Sequence, residues 1–230
     1  QVAVMASQGA GGPKDEATAA LYYKKSLQTW KKEADDGDSK AALWAALVYE
    51  RKLVPDSSPE KSVPYLLQAA ESGNLTAQGL LAFKYRDGLG VPQDAAKAVE
   101  WFEKAASRKD LGAVMELGIM FRDGKYLPPD REKAFHWFEK GAEWKDPYSM
   151  AALADMLLEG TPSAEQAARA LALYREAAAA GYFPAALKAA ELLQNGKGGE
   201  LDADEAYRLL RRVADATGDP KAMYMLAQVY

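Results

Sequence analysis

The chain is 230 residues long, 49% apolar and 27% charged, with a net charge of -4 and no cysteine. That length can bury roughly 70% of its unfolded surface, and a composition led by Ala, Leu, Glu and Lys favours helix. The mixed charge offers no basic face for phosphates, and no stretch reaches the roughly 20 apolar residues of a membrane helix. Without cysteine there is no disulfide, thiolate metal site or cysteine nucleophile. Neither nucleic acid nor direct membrane insertion is expected of it.

Residues 1–13, QVAVMASQGAGGP, have no apolar periodicity and read as a flexible lead-in. The chain starts with Gln1, as a processed or trimmed product does, and Val4-Met5-Ala6 is similar to a signal-peptidase site, with no apolar segment ahead of it. The expectation is a periplasmic or otherwise exported protein, with the cytoplasm left open. Residues 15–36 then read as one longer helix, whose Leu21, Tyr22, Trp30 and Ala34 cap a stack of later helices.

From residue 38 the chain repeats. LAFKYRDGLGVPQDAAKAVEWFEKAA (81–106) returns 36 residues later as LGIMFRDGKYLPPDREKAFHWFEKGA (117–142). Small residues open each unit at Ala41, Ala77, Ala113, Ser149 and Ala185, spaced by 36, and at Ala222 after 37. Four residues on come Ala45, Leu81, Leu117, Leu153, Ala189 and Leu226; the next position is Ala46, Ala82, Gly118, Ala154, Ala190 and Ala227. Offsets 0, 4, 5 and 8 share one face of a helix. These are the first helices of five units, with a half unit from 222.

The second helices open near Ser58, Asp94, Asp130 and Asp202, whose oxygens suit the orphan N–H groups of a first turn. In the fourth unit Ser163 to Gln166 reads as a capping box that starts the helix three residues early. Small residues recur at Ser62, Ala98, Ala134, Ala170 and Ala206, and bulky ones at Tyr65, Trp101, Trp137, Leu173 and Leu209. Gly88, Gly124, Gly160 and Gly196 punctuate the first helices, and Gly37, Gly73 and Gly181 the second. One hairpin cannot bury its apolar face, so each copy supplies the packing surface of the next.

Leu117-Gly118, Phe121, Gly124, Asp130, Lys133-Ala134, Trp137-Phe138 and Lys140-Gly141-Ala142 resemble the Sel1-like repeat of the tetratricopeptide-type superfamily, as does the loop Leu89 to Asp94. The resemblance covers residues 38–230. It departs at Lys52, which replaces a loop glycine, and in the fourth unit, which lacks the Gly-x-Gly-Val segment. It implies an all-α, right-handed solenoid of stacked antiparallel helix pairs, one domain over 14–230. Such proteins are mostly adaptors and regulators, often exported in bacteria, and some are periplasmic immunity proteins that neutralise phospholipase toxins delivered by type VI secretion. The implied function is therefore a non-enzymatic module binding another protein, sharpest as a toxin inhibitor and alternatively as an envelope scaffold or signalling regulator. A hydrolase is the remaining alternative, but the family's hydrolase members are rich in cysteine.

No constellation in the sequence carries chemistry. His136 is the single histidine and falls on the outer side of a second helix, where neither a metal site nor a general base has partners. Asn195 to Gly199 lacks the Gly-Lys-Ser/Thr ending of a phosphate loop and follows a helix. No cofactor or metal is expected.

The remaining feature is the face of the first helices opposite the packing stripe, which lines the concave groove in tetratricopeptide-like stacks. Its candidates for protein binding are Leu47, Glu50 and Arg51; Phe83, Arg86 and Asp87; Met115, Ile119, Arg122 and Asp123; and Asp155 and Glu159. An apolar strip with a charged rim is the composition of a protein-binding surface. Arg86 and Arg122, at one offset in successive units, are expected to form a polar ladder along it.

Overall fold

The computed structural model describes residues 15–199 and 201–228. The expected lead-in lies outside them. Among the described residues there are twelve helices and no strand: α1 Glu16–Asp35, α2 Ser39–Glu50, α3 Pro59–Glu71, α4 Leu75–Asp87, α5 Ala95–Ala106, α6 Leu111–Asp123, α7 Arg131–Glu143, α8 Pro147–Leu157, α9 Ala164–Ala179, α10 Phe183–Asn195, α11 Ala203–Thr217 and α12 Pro220–Ala227. The chain divides by packing into two compact units, 1–113 and 114–230, with the boundary in the first turn of α6. In the first unit α1 to α5 each pack on the next helix in sequence, and in the second α7 to α12 do the same. The fold is all-α, each unit built from helices that pack on their neighbours in sequence.

Local chemistry sets the helix starts. Asp38, Asn74, Asp110 and Asp146 precede first helices, and each accepts a hydrogen bond from a backbone N–H of the first turn. Asp94, Asp130 and Asp202 do the same for second helices, and Ser163 and Gln166 close the capping box reciprocally. Ser58 makes no side-chain cap bond; Pro59, whose missing N–H costs nothing at the first helical position, starts α3 in its place. Lys52 keeps the shape of the glycine it replaces. Its φ is +53°, beside +72° at Gly88 and +66° at Gly124, a left-handed conformation that costs an L-residue roughly 1–2 kcal/mol. Lys109 (+64°) and Lys145 (+62°) stand likewise where other repeats have Gly37, Gly73 and Gly181.

The packing stripe of the first helices is buried through the five full units except at Tyr85, which is half-buried. In α12 Ala222 is buried, Leu226 half-buried and Ala227 exposed. In the second helices the small residues Ser62, Ala98, Ala134, Ala170 and Ala206 are all fully buried. The deepest bulky residues stand one position after those expected: Leu66, Phe102, Phe138, Tyr174 and Leu210 are at most 1% exposed, while the expected Trp101 and Trp137 are themselves buried. Tyr65, Leu173 and Leu209 are half-buried. Ammonium groups lie over the indoles of Trp101 and Trp137, Lys104 at 3.8 Å and Lys140 at 5.1 Å. His136 is exposed beside Trp137, with ring centroids 5.3 Å apart.

The repeat register also runs through α1. Ser26, Trp30, Ala34 and Gly37 stand 36 residues before Ser62, Leu66, Ala70 and Gly73. Gln68 Nε2 donates to the Ala34 carbonyl, as Arg212 Nη2 does to that of Ala178 four repeats on. So α1 has the build of a second helix rather than a separate kind of cap. Ala34 is buried and Trp30 half-buried, stacked on Trp44 with centroids 6.0 Å apart, but Leu21 and Tyr22 are exposed.

Candidate protein-binding site

In the first unit the candidate stripe is half-buried at Leu47, Glu50, Phe83 and Arg86 and exposed at Arg51 and Asp87. Phe83 meets Phe102 edge-on at 5.1 Å, so it is partly core. Glu50 is a structural residue rather than a free rim carboxylate, because its Oε1 lies 2.7 Å from Lys84 Nζ. Lys84, 3% exposed, occupies a position that other repeats fill with Val48, Met120, Met156 and Leu192, all buried. Burying an ammonium demands partners, and Lys84 has three: Glu50, the Leu89 carbonyl at 3.1 Å and the Pro59 carbonyl at 3.3 Å. The loop it holds lies so close to α3 that a Cβ on Gly90 would sit 2.6 Å from the Pro59 carbonyl carbon. This cluster clamps a loop between neighbouring repeats.

The arginines of the stripe are likewise engaged. Arg86 forks onto Asp87 through Nε and Nη2, at 2.9 and 2.8 Å, with its guanidinium 4.7 Å from the Phe83 ring centre. In the second unit Arg122 Nε donates to Asp123 at 2.7 Å. Glu159 accepts from Arg131 Nε at 3.1 Å, out on the loop after α8. Met115 and Ile119 are half-buried.

The second unit brings two of the candidates together. A cavity of about 140 Å³ opens among α6, α8 and α10, walled chiefly by Arg122, Tyr148, Asp155, Tyr182 and Lys188. Arg122 and Asp155 were legible as stripe residues, whereas Met115, Ile119 and Glu159 are not part of the wall. Asp155 is ion-paired with Lys188 and accepts from the Tyr174 hydroxyl. Tyr148 and Tyr182 meet edge-to-face with centroids 6.1 Å apart. Burial, and then the bond to Asp155, pushes the Tyr174 hydroxyl well above its ordinary range. Burial first, then Tyr148 and the Asp155 and Asp146 carboxylates, raises Tyr182 as well. The hydrogen bond to Asp123, despite partial desolvation, holds Arg122 above its usual value. These groups are hydrogen-bond donors at neutral pH.

Sequence reasoning missed Tyr148, Tyr182 and Lys188. For Tyr182 a signal existed. It occupies the capping position that Asp38, Asn74, Asp110 and Asp146 fill elsewhere, and α10 accordingly starts without a side-chain cap bond. Giving up such a cap costs about 0.5–2 kcal/mol. A repeat that breaks its own rule at a cavity wall marks the place where stability has yielded to another requirement.

Stacked helix hairpins define an all-α repeat module, here with a polar cavity among α6, α8 and α10. The chain belongs to the Sel1 repeat family, whose sequence model matches residues 1–28, 48–74, 76–110, 112–143, 147–182 and 184–217; the first match includes much of α1. Sel1 repeats mediate protein–protein interaction. Among solved structures the chain is similar to c5321, a protective antigen of uropathogenic Escherichia coli strains displaying an SLR fold, at 28% identity and a TM-score of 0.72 over 100% of this chain and 48% of that one. It is also similar to a Sel1 repeat protein from Oxalobacter formigenes, at 26% identity and a TM-score of 0.73 over 100% of this chain and 64% of that one. The chain thus spans less than two thirds of either relative. The immunity protein Pa5087 of Pseudomonas aeruginosa is 20% identical over 88% of this chain and 81% of its own, at a TM-score of 0.41, too low to carry an argument between the two. No protein of curated function matches the chain.

Proposed function

We propose that the chain is a non-enzymatic module that binds another protein through the first-helix face of its second unit, with the cavity of Arg122, Tyr148, Asp155, Tyr182 and Lys188 as the recognition point. The observation that carries this reading is Tyr182, which stands where a helix cap belongs and lines the cavity with its ring against Tyr148. Tyr and Arg are the residue types that dominate binding energy at protein interfaces, because they combine rigid contact area with directional donors.

In its sharpest form the reading is that of an immunity protein: an exported chain, working in the periplasm, that holds a secreted toxin such as a phospholipase inactive. What supports that form is the resemblance of the repeats to a family with such members; no residue of the cavity selects a toxin. The test is to purify the partner from the native host and titrate it calorimetrically against wild type, Tyr182→Asn and Arg122→Gln. A loss of about 2 kcal/mol, roughly 30-fold, in variants that keep their helical content is the expected result. Undiminished affinity in folded variants would remove the cavity from the interface. A lipase as the partner supports the immunity form, and an envelope sensor or polymer-export component overturns it.

A further inference from the structure

Resting on that reading, we infer that the cavity takes the side-chain carboxylate of an Asp or Glu in an extended segment of the partner protein. Size is the first argument. About 140 Å³ is well below the roughly 300–1,000 Å³ of a small-molecule site, and it admits one side chain.

Charge is the second. The wall holds two cations, Arg122 and Lys188, against one carboxylate, Asp155, and that carboxylate already accepts from Tyr174 and pairs with Lys188. A cationic guest would compete with Tyr174 and Lys188 for that single carboxylate and meet two like charges. An apolar guest would strip water from Arg122 and Lys188 and return nothing, which is unfavourable for charged groups. A carboxylate finds donors in Arg122, Lys188 and the two tyrosines of the wall. Asp123 takes the Arg122 Nε–H and the Tyr148 hydroxyl shares a further hydrogen bond with the guanidinium, whose five N–H donors exceed those two partners. Lys188 and Asp155 are 45% and 40% exposed, and pairs so open to solvent are weakly held, so the ammonium can share itself with an incoming oxygen. The Tyr148 and Tyr182 hydroxyls complete the donor set, while their edge-to-face rings provide an apolar wall for the methylene stem of the guest.

The experiment uses the whole chain and three small probes: N-acetyl-glutamate amide, its isostere N-acetyl-glutamine amide, and N-acetyl-glycine, which carries only a terminal carboxylate. Backbone amide shifts of Tyr148, Asp155 and Lys188 are followed by NMR during titration. The glutamate probe should bind about tenfold more tightly than the glutamine probe, because a charge-assisted bond is roughly twice as strong as a neutral one. Lys188→Gln should abolish the difference, and Lys221→Gln, outside the cavity, should keep it. Equal binding of glutamate and glutamine probes overturns the inference. Preference for N-acetyl-glycine overturns it too, by assigning the site to a chain terminus. If the probes fail to discriminate while Tyr182→Asn still weakens the natural partner, this inference falls and the protein-binding reading stands. If the glutamate probe is selected but the partner ignores Tyr182→Asn, the reading falls, and the cavity serves a free acid instead of a partner's side chain.

Discussion

Gly118 offers the sharpest test of the packing argument. It lies inside α6, and a Cβ added there would sit 2.4 Å from Phe138 Cε1 and 2.7 Å from Cδ1 and Cζ. Ordinary carbon contacts are about 3.5–4.0 Å, so the ring must retreat by about 1 Å. Phe138 is 0% exposed, with no empty side to move into. Overpacking of this kind costs about 1–3 kcal/mol, while replacing a helical Gly by Ala returns up to about 1 kcal/mol. Gly118→Ala should therefore lose about 1–2 kcal/mol, and Gly118→Leu more. Gly79, inside α4, is the control: nothing lies within 4 Å of its added Cβ, so Gly79→Ala should gain about 0.5–1 kcal/mol from propensity alone. Urea unfolding followed by far-UV circular dichroism measures both. Equal changes, or a stabilised Gly118→Ala, would refute the assignment of that helix face.

Tyr182→Asn should raise the melting temperature, since Asn restores a capping oxygen worth about 1 kcal/mol, yet weaken partner binding; a variant that neither gains stability nor loses affinity would contradict both roles given to the tyrosine. Lys84→Met should destabilise by about 3 kcal/mol because Glu50 is left half-buried without its counter-charge, and Lys84→Met with Glu50→Gln should recover much of that, as a double-mutant cycle in urea would show. Chelator should leave the thermal melt unchanged, and His136→Leu, on an exposed face, should shift stability by no more than about 0.5 kcal/mol; a chelator-dependent melt would reveal a metal site that the sequence does not offer.

The hairpins, their caps and the small-residue stripe were legible because each is a one-dimensional signal: a period of 36, a capping oxygen, a glycine past a helix end. The depth of each second-helix residue was not. Trp101 and Phe102 are neighbours in sequence and both buried, and only the three-dimensional packing shows that the smaller ring lies deeper, with Lys104 over the indole. Glu50 was misjudged for a related reason. Its partner is 34 residues away at Lys84, and a lysine at an apolar register reads as a surface residue until its carbonyl partners are seen. The cavity was half visible. Arg122 and Asp155 fall on the stripe by offset, but Tyr182 and Lys188 lie off that stripe, and they join the site only because α8 and α10 bring them beside it.

The three lysines in left-handed turns carry a further consequence. Lys52, Lys109 and Lys145 lie just past the C-terminal ends of α2, α5 and α7, where the aligned peptide dipoles leave a partial negative charge that favours a cation by about 0.3–1 kcal/mol at low ionic strength. That attraction offsets part of the backbone cost that glycine avoids at the same turns. Because it is screened within about 10 Å at 0.1 M salt and 3 Å at 1 M, the compensation is conditional: Lys109→Gly should stabilise the chain more in concentrated salt than in dilute buffer. These turns would then tie the stability of individual repeats to ionic strength, while the repeats closed by glycine stay indifferent to it.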